Sequence, residues 1–332
     1  MEDYQSPEYN REAEEKRKQR QGIFYSVLLF ILTFITTTFA GVDWVGRSSA
    51  VIELSELSKG LPYSIAILFV LGVHEFGHYF AAIHHKVKTS LPYFIPFLSF
   101  EGIFLSFGTM GAVIRTRSVI YTRTALFDIG VYGPIAGFVA CLAVYIYGFI
   151  TLPGPEYLLA IHPDFLSPEY GKNALSLVFG DNLITIMLRA VFDRPGVFIP
   201  PMSEIYHYPY LCVGWFGMFV TSMNLIPVGQ LDGGHIVYGM FGLRNHKKIA
   251  SVAMIALIVM GILGAVRQFL LPELTIGWAG WLVWAGILYF AIKVNHPPVP
   301  DEAPLDKNRM VLGYLSILIF ILTFTPSPIL II

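Results

Sequence analysis

Charge is scarce in this sequence. Only 14% of its 332 residues are Asp, Glu, Lys or Arg, against about a quarter in an ordinary soluble domain. A basic excess is missing as well. The net charge of −1 leaves no domain-wide positive field for nucleic acid. Cysteine is nearly absent. Cys141 and Cys212 both lie in apolar runs and neither belongs to a CxxC, which excludes a disulfide framework and a cysteine zinc site. Both read as small buried hydrophobes. No internal repeat is visible, and no inverted halves of the transporter kind.

What the chain has in quantity is apolar surface. Hydrophobic residues make up 55% of it, and the mean hydropathy is +0.62. Seven runs approach or exceed the roughly 20 residues that cross a bilayer: Ile23–Val42, Leu61–Ile83, Thr124–Ile150, Tyr208–Gly242, Ile249–Leu271, Ile276–Val294 and Met310–Ile331. The fourth contains Pro227, where a break is expected. The first is too long, and its charged prefix too extended, for a signal peptide. With the N-terminus placed in the cytoplasm, 16 of the 22 Lys and Arg fall on the inner side, as the positive-inside bias requires. The expectation is an all-α polytopic membrane protein of about seven helices, multi-pass in the cell inner membrane, N-terminus cytoplasmic.

Residues 1–21 form a polar tail, expected to be disordered or a frayed surface helix, and residues 22–332 the membrane domain. Between the second and third spans, His84–Ser118 is rich in aromatic and β-branched residues punctuated by Gly and Pro. It reads as a small β-hairpin or re-entrant element. The outer segment Thr151–His207 holds an apolar stretch, "NALSLVFGDNLITIMLRAVF", read as a helix on or in the membrane surface. Asp128 lies close to Arg123 in sequence and could pair with it. His84 and His85 read as interface markers, and His162, His207, His246 and His296 as loop residues without assigned roles.

Ionisable groups inside a bilayer are costly and by default functional. The second span nevertheless carries His74-Glu75-Phe76-Gly77-His78, an HExxH. On a helix, positions i and i+4 share a face, so both imidazoles can reach one metal ion. Glu75 can then take the proton of a water that attacks a carbonyl. Gly77 keeps the helix thin for a neighbour. A catalytic zinc takes three protein ligands and keeps one open position. A third candidate lies in "SMNLIPVGQLDGGHIVYG", where Asp232 has Asn224 before it and His235 after it. His235 reads as a group that supports or gates the ligands. Pro227, Gly229, Gly233 and Gly234 are expected to interrupt helix, which membrane depth tolerates only around a buried site or cavity. Both motifs fall in the cytoplasmic half of their spans, Asp232 late in the fourth. A metal-ion transporter would also use membrane His and Asp, but it gives no reason for the Glu inside HExxH. A scaffold with a relic metal site is disfavoured, because every catalytic position is filled.

HEFGH in one span and NLIPVGQLDG in a later one resemble the site-2 protease family of intramembrane zinc metalloproteases, in its branches without a PDZ domain. "GTMGAVIRTRS" and "DIGVYGPIAGF" are similar to its connecting segments. The resemblance covers about residues 61–244, with C-terminal helices over 249–332. It implies one Zn²⁺ per chain on His74, His78 and Asp232, with Glu75 as general base and Asn224 in contact with substrate. It also implies cleavage of transmembrane segments in regulated proteolysis. The partners implied are single-span membrane proteins, pre-cleaved by another protease, within a lipid bilayer. An extended substrate needs backbone partners, and the β-permissive strand Gly108, Thr109, Met110, Gly111, Ala112, Val113, Ile114 could supply them by β-augmentation.

Overall fold

A computed structural model describes residues 7–46, 55–98, 107–171 and 176–331. The first six residues of the polar tail, and residues 99–106 of the expected hairpin element, lie outside the described residues. The rest of the tail is helical and runs without interruption into α1, Pro7–Trp44. α2, Leu57–His84, lies against it. Their crossing is close and polar: Thr37 and Ser64 share a hydrogen bond of 2.7 Å between buried hydroxyls, as small hydroxylated residues do between membrane helices. β1, Tyr93–Pro96, and β2, Thr109–Val113, pair antiparallel with Phe94 opposite Ala112. This is the small hairpin expected between the second and third spans.

α3, Arg123–Ile150, starts where the Thr122 hydroxyl accepts from the Ala125 amide at 3.0 Å, a side-chain N-cap. It packs on α2 and on α6, Pro209–Asn224, and these three helices enclose most of the core. Cys141 and Cys212 are free and buried there, where a small apolar side chain belongs. The segment Thr151–His207 carries α4, Pro155–Ile161, β3, Leu177–Phe179, and α5, Leu183–Phe192. A 3₁₀ turn, Ile205–His207, leads into α6. The expected single apolar helix of this segment is thus a strand followed by a helix. The strand pairs antiparallel with β4, Ile329–Ile331, a second sheet that local sequence did not announce.

The expected span Tyr208–Gly242 is not one helix. α6 ends at Asn224, and the chain turns through residues 225–231 around Pro227. It then re-enters helix as α7, Asp232–Phe269. Gly233 and Gly234, expected to break helix, are inside it. α7 bends at Gly242, where φ is +78°, a conformation L side chains rarely adopt. Beyond it come α8, Gly280–Ile287, continued by a π-turn to Ile292, and α9, Lys307–Thr323.

Among the described residues, four helices are long and apolar enough to cross a membrane: Lys16–Trp44, Leu57–His84, Arg123–Ile150 and Asp232–Phe269. The other expected spans fall short of that length. α6 has 16 residues, Gly280–Ile292 is a short apolar helix, and α9 has 17. Irregular backbone and strand β4 take up the remaining length.

Asp128 does not pair with Arg123. Its carboxylate accepts two bonds of 2.8 Å from the Arg309 guanidinium of α9, and its Oδ2 lies 2.7 Å from His85 Nε2. Arg123 instead donates to the carbonyls of Gly239 and Met240, holding the first leg of α7 against α3. Asp128 is buried, so removing its guanidinium leaves a buried carboxylate with only His85 beside it. Arg309→Met is expected to destabilise the protein by about 3 kcal/mol. Adding Asp128→Asn should restore at least half of that, because no buried charge is then left unpaired. Thermal unfolding of both variants in detergent checks this. Equal losses in the two would exclude it.

Candidate metal centre

His74 and His78 stand one turn apart on α2 and both are buried. Their Nε2 atoms are 3.0 Å apart. Asp232, the first residue of α7, brings its Oδ2 to 3.4 Å from each. Tetrahedral zinc with bonds of 2.0–2.1 Å holds its ligands about 3.3 Å apart. Two imidazole nitrogens and one carboxylate oxygen on such a triangle suit zinc in both spacing and donor chemistry. The Nδ1–H of His78 donates to the Ile129 carbonyl at 2.6 Å. That bond fixes the tautomer and leaves Nε2 with its lone pair toward the centre, as outer hydrogen bonds do for metal-binding histidines.

α3 makes room for these rings. A Cβ at Gly133 would lie 2.1 Å from His78 Nε2, and one at Gly137 would lie 2.7 Å from His74 Nδ1. The two glycines, with Gly130 against His235, clear one face of α3 over two turns. In "DIGVYGPIAGF" they are therefore the surface on which the ligand rings rest. Gly77 does the reciprocal service expected of it, since its own Cβ would meet the Tyr132 carbonyl at 2.6 Å.

A cavity of about 560 Å³ opens beside the triangle. Glu75, buried, lines it and lies against the Ile114 backbone. Asn224, the last residue of α6, is on its wall. The expected substrate strand is divided. Ala112, Val113 and Ile114 line the cavity, whereas Gly108, Thr109, Met110 and Gly111 do not. The Gly108 carbonyl accepts from the Thr36 hydroxyl of α1 at 2.6 Å, and the Thr109 hydroxyl donates to Ile95 O at 2.9 Å. These residues anchor the hairpin.

Asp232 reaches the site from the start of a helix, not from late in a span. His235, one turn on, is not among the converging donors. Its Nδ1 lies 2.9 Å from Nε2 of His296. His296 comes from the Pro-rich segment after the π-turn, and it too lines the cavity. Sequence reasoning missed it. The only local signal was a histidine beside "PPVP", which is ordinary in a loop.

Gly133→Ala is expected to reduce the zinc held at this triangle at least tenfold, because the added methyl occupies the space of the His78 ring. Asp232→Ala should do the same by removing the third donor. Metal analysis of the purified variants, with His74→Ala as the positive control, is the check. Unchanged zinc in Asp232→Ala would remove it from the ligand set.

A family model described as Peptidase family M50 matches residues 62–266. Curated relatives include the probable zinc metalloprotease EGY2, chloroplastic, of Oryza sativa subsp. indica, 26% identical over 278 residues. That alignment covers 83% of this chain and 44% of the relative. The probable zinc metalloprotease EGY1, chloroplastic, of Arabidopsis thaliana is 27% identical over 273 residues, covering 81% and 43%. The chain thus spans less than half the length of these relatives. No solved structure gives a significant match. With a match that runs through both motifs and every donor of the triangle, this chain belongs to peptidase family M50.

Proposed function

We propose that this chain is a zinc-dependent endopeptidase that cleaves membrane-embedded segments of other proteins. The observation that carries the proposal is the triangle of His74, His78 and Asp232 with Glu75 beside it on the same cavity wall. When bound there, zinc supplies a Lewis acid that acidifies water and polarises a carbonyl. Glu75 takes the proton of the attacking water and delivers it to the leaving amine. Burial among apolar helices keeps the carboxylate from bulk water until substrate and a water molecule share the cavity.

A transmembrane helix shields its own peptide bonds, so it must be extended before cleavage, and an extended strand needs hydrogen-bond partners. β2 pairs on one side with β1, and Ala112, Val113 and Ile114 face the cavity. Substrate adds there as a strand, and Asn224, which lines the same cavity, contacts it. His235 and His296 support the carboxylate end of the site without ligating. The substrates are single-span membrane proteins, already shortened by another protease so that they fit the cavity. The protein resides in the cell inner membrane with its N-terminus in the cytoplasm, in keeping with the distribution of Lys and Arg.

Glu75→Gln is expected to keep its zinc and lose cleavage of a single-span reporter in liposomes by about 10²- to 10⁴-fold, the usual worth of a general base. Zinc uptake by the same liposomes is measured in parallel. Zinc flux that depends on Glu75, with no cleavage by the parent protein, would establish transport instead.

Ala112→Pro or Val113→Pro removes one backbone donor from the strand facing the cavity. At least one of the two should retain zinc and membrane insertion yet cleave poorly. Full cleavage by both would exclude strand addition and leave Asn224 as the substrate contact.

A further inference from the structure

A second triangle of metal-binding donors lies at the other end of α6 from the cavity, about 22 Å along that helix at 1.5 Å per residue. His162 follows α4, Glu204 precedes the 3₁₀ turn and His207 ends it. The Nε2 atoms of His162 and His207 are 2.9 Å apart. Glu204 Oε2 lies 3.5 Å from His207 Nε2 and 3.7 Å from His162 Nε2. The HExxH triangle has the same donor set, two imidazoles and a carboxylate, at 3.0, 3.4 and 3.4 Å.

Two features distinguish this cluster from a chance meeting of polar side chains. Glu204 is 2% exposed, and its Oε2 has no hydrogen-bond partner. A buried carboxylate oxygen without a partner is costly, and this one faces two ring nitrogens. Its other oxygen accepts from Tyr170 Oη at 3.0 Å, which aims the carboxylate. His207 is oriented in the same manner as His78. Its Nδ1–H donates to the Trp44 carbonyl at 3.0 Å, leaving the Nε2 lone pair toward the cluster. A hydrogen bond between the two rings alone would leave Glu204 Oε2 unsatisfied. A cation at the centre serves all three donors.

We propose that His162, Glu204 and His207 bind a second divalent transition-metal ion, of the zinc class, in a site separate from the HExxH centre. The His162 side chain is 32% exposed, so a water molecule can fill the fourth position. The ion ties the end of α4 to the entrance of α6 and, through His207 and the Trp44 carbonyl, to the end of α1. Its role is to fasten the segment Thr151–His207 to the membrane helices. The proposal is independent of proteolysis, since its ligands lie outside the HExxH centre and its test reads zinc binding, not cleavage.

The test uses the full-length chain in detergent carrying His74→Ala and His78→Ala, which empties the first triangle. After chelation, Zn²⁺ alone is returned by equilibrium dialysis. One zinc per chain is expected, and it should raise the midpoint of thermal unfolding. Adding Glu204→Gln, which preserves shape and the bond from Tyr170, should weaken zinc binding at least tenfold and abolish the rise. His162→Ala, at the exposed rim, should do likewise. An unchanged metal-free midpoint in either variant separates a lost ligand from a lost fold. No zinc in the parent, or an affinity in either variant equal to the parent's, overturns the proposal.

Discussion

Three polar donor atoms must be withdrawn from water together and held within 3.4 Å of one another, and the rest of the structure depends on that constraint. Each group alone would be expensive among apolar helices; a shared ion makes their burial tolerable. The geometry cannot come from one helix. α2 supplies two rings at i and i+4, and the third donor must arrive from elsewhere at the same depth. The chain achieves this by stopping α6 at Asn224, turning through residues 225–231 and restarting helix at Asp232. A continuous helix over Tyr208–Gly242 would have put Asp232 about two turns further along and out of reach.

Space is the second requirement, and α3 meets it. Its glycine face lets the imidazoles lie against backbone, and the Ile129 carbonyl on the same helix orients His78. α3 is in turn fastened at its N-terminal end. Asp128 binds Arg309 and His85, and Arg123 binds the first leg of α7 through Gly239 and Met240. The helix that cushions the ligands is therefore tied to the helix that begins with the third ligand. Movement of α7 relative to α3 would shift Asp232 against both rings.

Much of this site was legible in sequence because its donors carry local signatures. HExxH brings two imidazoles to one helix face by helical period alone, and Asp232 stood out as a carboxylate in an apolar run broken by Pro and Gly. The hairpin was legible from β-branched residues and glycine. Four features depend on long-range placement and left no local trace. His296 joins His235 across 61 residues, and Arg309 reaches Asp128 across 181. β4 completes a sheet begun at Leu177, and His162 meets His207 across 45. The span count was only partly legible for a related reason: seven apolar runs were expected to cross, and four of the described helices have membrane length. An apolar run of membrane length can be spent on a short helix plus irregular backbone when neighbouring helices bury it, and hydropathy does not distinguish the two cases.

The most direct test is to locate zinc in crystals of the purified full-length protein by anomalous scattering at the zinc absorption edge. The expected result is a peak about 2 Å from His74 Nε2, His78 Nε2 and an Asp232 carboxylate oxygen, with Glu75 adjacent and unligated. A peak elsewhere with the triangle empty, or a metal held there without Asp232, would contradict the site.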